Sequence, residues 1–254
     1  MHASLPMYDR PEMRAETDRF WALTRDALRD RGIAAPDALT REFNSPWELW
    51  QSPDLLLSQT CGLPLRAVLR DKVTLVATPD FALPGCATGH YNSVLITRPE
   101  NADTPMETLL RGRTVINEGL SQSGWGALCR YADRLGMIPA KPTLSGGHAF
   151  SARAVLEGHA DLAAIDAQTW RLLLRYEPDL RTLVERDRTV PTPALPLITA
   201  IGCDPAPLNA ALEDAIAALP DEDCNTLCLA GFTRIPLDDY MALPVPPNPD
   251  DLPQ

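Results

Sequence analysis

The sequence predicts an α/β protein with mainly parallel sheets, built as two units. Three observations predict it. Strand-like apolar runs alternate with amphipathic, helix-like segments along almost the whole chain, the pattern of β-α-β construction. The 254 residues, 45% of them apolar, suffice for two modest cores. The 25 prolines and 14 glycines are spread over many short loops, with no long flexible linker.

In order, residues 2–8 read as a first strand and residues 12–31 as a helix. That helix has Phe20, Trp21, Leu23 and Leu28 among its apolar positions and Gly32 as its stop. "PWELWQS" reads as a short helix capped by Ser45, with Pro46 at the first helical position. "DLLLSQTCG" reads as a buried strand leading into a polar loop, and "VTLVATP" and the β-branched "HYNSVLITRP" as two more strands.

The second half keeps the rhythm. "RTVIN" predicts a strand, residues 124–135 a helix stopped by Gly136, and "AKPTLSGG" a strand and loop. Residues 149–157 predict a helix stopped by Gly158, "ADLAAID" a strand and residues 167–176 a helix. "RTLVERD" and "LPLITAIG" predict strands, and residues 205–219 and 221–230 closing helices. The tail "LPVPPNPDDLPQ" is too rich in proline for a helix or central strand and is expected to lie extended on the surface.

A formal charge of −11 argues against nucleic acid and anionic membranes as partners. No stretch approaches the roughly 18–20 apolar residues of a membrane span. The N-terminus has no basic region followed by an apolar one, so with Met1 as the natural start the expected location is the cytoplasm. A processed fragment would belong to the periplasm. The six cysteines are scattered and read as reduced, mostly buried thiols without zinc-ligand spacing, so neither metal nor cofactor is expected.

In α/β sheets ligands gather where strands hand over to helix N-termini. "SQSG" at 121–124 stands at such a turn, where two hydroxyls and a glycine suit a tetrahedral oxyanion or simply cap a helix. "SGGHAFS" has the same logic, with His148 as an anion donor or a loop-bonding histidine. Asp166 ends an apolar strand and either receives a ligand's ammonium group or caps the helix beginning at Ala167. Tyr8 and the pair Trp47 and Trp50 line a pocket or belong to the core. No nucleophile elbow, phosphate-binding Walker loop or dinucleotide fingerprint is visible.

Together these turns resemble the phosphate/phosphite/phosphonate-binding components of ABC transporters. The resemblance runs through "LPMYD", "SQTCGLPL", "YNSVLITR", "NEGLSQSGWGAL", "SGGHAFSARAVLEGHADLAAIDAQTW" and "LPLITA", with the spacing from "SQSG" to "AAID" the most specific part. It implies the type II periplasmic-binding-protein fold, two lobes facing a ligand cleft and joined by crossing strands near 90–97 and 196–201. Residues 1–88 with 200–254 would form one lobe and 89–199 the other. It implies that Ser121, Gln122 and Ser123 bind the oxyanion and that His148 reaches the same group. Asp166 would face the amine of an aminophosphonate, and Tyr8 and Thr60 would contribute from the first lobe.

The function expected is a solute-binding protein that closes by a hinge around a small oxyanion, phosphate- or phosphonate-like and open to an amine-bearing ligand. Its partners would be that small molecule and an ABC-transporter permease or a cytosolic protein. Two alternatives remain: a cytosolic enzyme on the same fold, with Asp166 and His148 as acid–base pair, and a cytosolic ligand sensor.

Overall fold

The structure, a computed structural model, describes residues 1–252. The chain forms two compact units, Met1–His90 with Pro193–Leu243 and Tyr91–Thr192 with Pro244–Gln254.

The first unit is built on a five-stranded sheet in the order His2–Ser4, Leu55–Gln59, Leu197–Ala200, Val73–Asp80, Gly231–Thr233. The helix Arg14–Asp30 packs against Ala206–Ala218. It buries Thr17, Phe20, Trp21, Thr24 and Leu28, positions three or four apart that form one face. Gly32 ends it at φ 76°, with the Ile33 N–H returning 3.0 Å to the Leu28 carbonyl. Glycine takes this left-handed backbone without steric cost. Trp50 and Tyr240 sit in the core with Leu49, Leu69 and Ile198. Each such large apolar side chain contributes about 1.5–3 kcal/mol by leaving water.

The second unit holds another five-stranded sheet, in the order Thr143–Leu144, Thr114–Ile116, Leu162–Asp166, Ser93–Thr97, Val184–Arg188. Every residue of Leu162–Asp166 is buried, as expected for a central strand covered on both faces. Trp125, Leu128 and Ile116 close the core beside it.

Both sheets are mixed rather than mainly parallel. Leu197–Ala200 runs antiparallel to both its neighbours, and so does Ser93–Thr97. Each follows soon after the chain enters its unit, and each is inserted between strands that run the other way. Alternation of strands and helices records how often the chain folds back, not the direction of every strand.

The unit boundaries also differ from those expected. Residues 193–199 belong to the first unit, because Leu197 and Ile198 pair with Gln59 and Ser58. The tail from Pro244 belongs to the second unit, not the first. Trp125 Nε1 donates to the Pro247 carbonyl at 2.7 Å, Lys141 pairs with Asp250 at 3.2 Å, and Leu252 packs on the core. Pro249 is buried in a short 3-10 turn, so the tail is anchored rather than merely spread on the surface. Pro253 and Gln254 lie outside the described residues.

Smaller differences have local causes. The first strand is only His2–Ser4. The helix from Asp221 stops at Leu227, because Cys228 turns left-handed at φ 53°. A strand, Gly231–Thr233, and a short helix, Leu237–Met241, follow. Among the cysteines only Cys61 is buried, while Cys203 is exposed. Among the described residues no helix is long and apolar enough to cross a membrane.

Candidate functional site

The strand Thr114–Ile116 is fully buried and delivers the chain to Asn117 at its carboxyl end. Ser121 then takes extended backbone, φ −96°, and its Oγ accepts the Gly124 N–H at 3.0 Å. Ser121 is therefore an N-cap. The helix it opens is unusual: residues Gln122–Gly126 form a wide π turn, with the Gly126 N–H reaching the Ser121 carbonyl at 2.9 Å. The α-helix Ala127–Arg134 continues from it. Such π turns inside helices occur often at functional sites.

Gly124 is required by its neighbour rather than by its φ. A Cβ there would lie 2.1 Å from Asn117 Oδ1, which is buried and has no hydrogen-bond partner.

The second loop is tied to the same strand end. The Ser145 N–H donates to the Ile116 carbonyl and the Gly146 N–H to the Asn117 carbonyl, both at 2.9 Å. Ser145 Oγ lies 2.7 Å from Ser151 Oγ and donates to the Gly147 carbonyl at 2.9 Å. Gly146 has φ 85°, which favours glycine. These bonds set His148 at the start of the helix His148–Leu156.

From there His148 Nε2 lies 2.8 Å from Ser123 Oγ, and Ser123 Oγ lies 3.4 Å from Ser121 Oγ. Ser121 and Ser123 are buried, and His148 Nδ1 is buried without a partner. Burial pushes the imidazole pKa down to about 4, so the ring is neutral at pH 7. A neutral ring has one N–H donor and one acceptor, and here one of its two nitrogens is left over.

Sequence reading placed five site residues in this unit, and the structure gathers three of them, Ser121, Ser123 and His148. Asp166 is buried, and its Oδ1 accepts the Thr169 N–H at 2.8 Å as the cap of the helix Ala167–Tyr176. Gln122 lies against Gly126, where a Cβ would come within 3.2 Å of its Oε1, and lines a separate cavity with Arg130. Among the described residues no carboxylate meets His148 Nδ1, as one does where a nucleophilic triad holds its base. What it offers is a set of polar groups that can donate to an oxyanion.

In the first unit, the Tyr8 ring meets Phe81 edge-to-face at 5.0 Å and lines an apolar cavity of about 70 Å³ with Phe20 and Phe232. Thr60 is fully buried, its N–H donating to the Pro196 carbonyl at 3.0 Å. Its Oγ1 and the Ser58 Oγ are both buried without hydrogen-bond partners. Thr60 is not among the residues lining the Tyr8 cavity. Trp47 and Trp50 stack edge-on at 5.1 Å, and Trp50 Nε1 donates to the Gln59 carbonyl, so this pair belongs to the core.

Sequence reasoning missed Asn117 and Ser145, which tie the two loops together. The signal was available: a polar residue closing a strand, and a serine ahead of paired glycines.

The family described as ABC transporter, phosphonate, periplasmic substrate-binding protein matches residues 60–240. No curated protein sequence matches the chain. Among solved structures, PhnD1 from Prochlorococcus marinus in complex with methylphosphonate superposes with a TM-score of 0.69 at 14% identity, over 95% of this chain and 94% of that one. A binding protein component of an ABC phosphonate transporter from Pseudomonas aeruginosa gives 0.67 at 16% identity, over 94% and 82%. A Xanthomonas citri protein bound to ATP gives 0.68 at 14% identity, over 95% of each chain. These likenesses show the fold, that of the two-lobed type II periplasmic binding proteins.

Proposed function

Because the chain belongs to the family of phosphonate substrate-binding proteins of ABC transporters, and is thus a solute-binding protein, we propose that it binds a small phosphonate-like oxyanion at Ser121, Ser123 and His148. The observation that carries the proposal is the chain of contacts from Ser121 Oγ through Ser123 Oγ to His148 Nε2, ending in a buried ring nitrogen without a partner. An unpaired buried polar group costs about 1–3 kcal/mol. A protein keeps such a group where something else completes it.

The anion's charge is met by the positive end of the helix that Ser121 caps. The neutral imidazole gives up its leftover nitrogen to a phosphonate O–H or takes up a proton on binding. The neighbour that carries methylphosphonate supports this ligand class. Asp166 is the proposed receiver for an amine on the same ligand. The first unit contributes Thr60 and Tyr8, and the ligand draws the two units together about the chain crossings at 90/91 and 192/193. A permease then receives the loaded form.

A thermal-shift and calorimetric panel of methylphosphonate, phosphite, phosphate and 2-aminoethylphosphonate tests this. A ligand at a hundred times its Kd adds about 2.7 kcal/mol of stability. The expected result is a hit that Ser123→Ala and His148→Ala abolish, with a ligand-dependent fall in the radius of gyration. Binding that survives both substitutions would overturn the assignment of the site. A stronger response to the aminated ligand, lost in Asp166→Asn, would establish the role given to Asp166.

A further inference from the structure

We propose that the second unit carries an additional binding site, for a small anion that also bears a hydroxyl or amino group, in the cavity walled by Arg130, Arg134 and Asn92. The cavity measures about 270 Å³, room for a compact organic anion, and its lining includes Gln122 but none of Ser121, Ser123 and His148. Neighbouring residues of the wide turn divide the work: Gln122 lines this cavity while Ser123 contacts His148. Occupancy of one site therefore does not require the other.

Arg130 and Arg134 stand one helical turn apart on Ala127–Arg134. Most arginines of this acidic chain have found a carboxylate, as Arg98 and Arg113 have in Asp161 and Arg153 in Asp179. Among the described residues Arg130 and Arg134 form no ion pair; the Arg134 guanidinium lies 5.9 Å from the Tyr131 ring centroid. Burial and the like charge of Arg134 both push the Arg130 pKa down from its ordinary value. With formal charge −11 the protein does not lack acids to pair them.

Asn92 supplies the second, independent sign. It is 6% exposed, its carbonyl accepts the Ala167 N–H at 3.0 Å, and its side-chain Oδ1 is buried without a partner. An acceptor in that position asks for a donor on the ligand, which a simple carboxylate such as acetate lacks. Asp133 also lines the wall, so two positive charges stand against one negative. That balance suits a mono- or dianion rather than a polyphosphate.

Calorimetry on the whole protein with matched probes tests the proposal: lactate against propionate, and glycerol 3-phosphate against methyl phosphate. The hydroxylated member of each pair is expected to bind more tightly by about fivefold, within reach of one added hydrogen bond. Arg130→Gln should weaken it by at least about tenfold, as loss of a charge-assisted bond does, while Arg130→Lys retains folding and part of the affinity. Asn92→Ala should erase the difference within each pair, and that difference should persist when the carboxylate pair, lactate against propionate, is measured in Ser123→Ala, which removes the oxyanion site as a competing seat. Failure of all four probes to bind at millimolar concentration would overturn the proposal. So would binding lost in Ser123→Ala but indifferent to Arg130→Gln, which would place the probes at the serine–histidine site.

Discussion

Two strand-to-helix turns of the second unit are made from similar parts and end differently. At Asp166 a buried carboxylate closes on the Thr169 N–H at 2.8 Å, and the helix end is satisfied locally. At Ser121 the cap is made too, yet the contacts run on through Ser123 to His148 and stop at a nitrogen with no partner. A cap serves the fold by meeting the N–H groups of the helix it opens. A cap that passes its hydrogen bonds to an unfinished histidine marks the place where a ligand is expected. The difference lies in what is left unsatisfied, not in residue type.

The largest effect should come from removing the glycine that lets Asn117 lie on the Ser121 turn. Gly124→Ala is expected to lower stability by about 2 kcal/mol, the cost of overpacking, read as the denaturation midpoint. Combining it with Asn117→Ala should recover most of that loss, since the clash is with Asn117 Oδ1. Equal damage with and without Asn117 would mean that the turn fails for another reason.

Next, His148→Leu should lower affinity for methylphosphonate by at least about tenfold while costing little stability, or adding up to about 1 kcal/mol, because it removes an orphaned polar atom. Asp166→Ala should behave in the opposite sense. Loss of the cap costs about 1 kcal/mol, Asp166→Asn restores it, and affinity for an amine-free anion hardly changes. If both variants lost stability equally and neither lost affinity, the two turns would be the same kind of structure.

The smallest effect is the pH dependence. The folded-state His148 pKa, about 4, lies below the roughly 6.5 of an exposed imidazole. Between those values the unfolded chain holds the extra proton, so stability falls as pH drops from about 6.5 towards 4 and is fully present above that window. The His148→Leu variant should show a flatter profile over this range in melting curves, while carboxylates such as Asp161, held below their ordinary pKa by Arg113 and Arg98, act only at lower pH.

Much of this was legible in the sequence. Ser45 before Pro46, Gly32, Gly136 and Gly158 as helix stops, and Asp166 before Ala167 are local chemistry, and each stands where propensity puts it. The wide turn at 122–126 was not legible, and neither was the close approach of Asn117 to Gly124 beside it, which joins residues seven apart. Nor was strand direction, since Ser93–Thr97 reads equally well either way and only its neighbours decide. The place of the tail was not legible for a related reason. Proline density forecasts an extended chain, but not that Trp125 will hold it through the Pro247 carbonyl. Within the site, hydroxyls and histidine could be named from spacing, whereas the placing of Gln122 in the same cavity lining as Arg130 follows from helical geometry that no motif encodes.

The most direct test is a ¹⁵N NMR titration of the histidine ring with methylphosphonate at pH 7. One of the two His148 ring nitrogens is expected to move strongly and saturably on binding, and the response to disappear in Ser123→Ala. Saturable binding that leaves both His148 nitrogens unmoved would contradict it, because the ligand would then sit elsewhere.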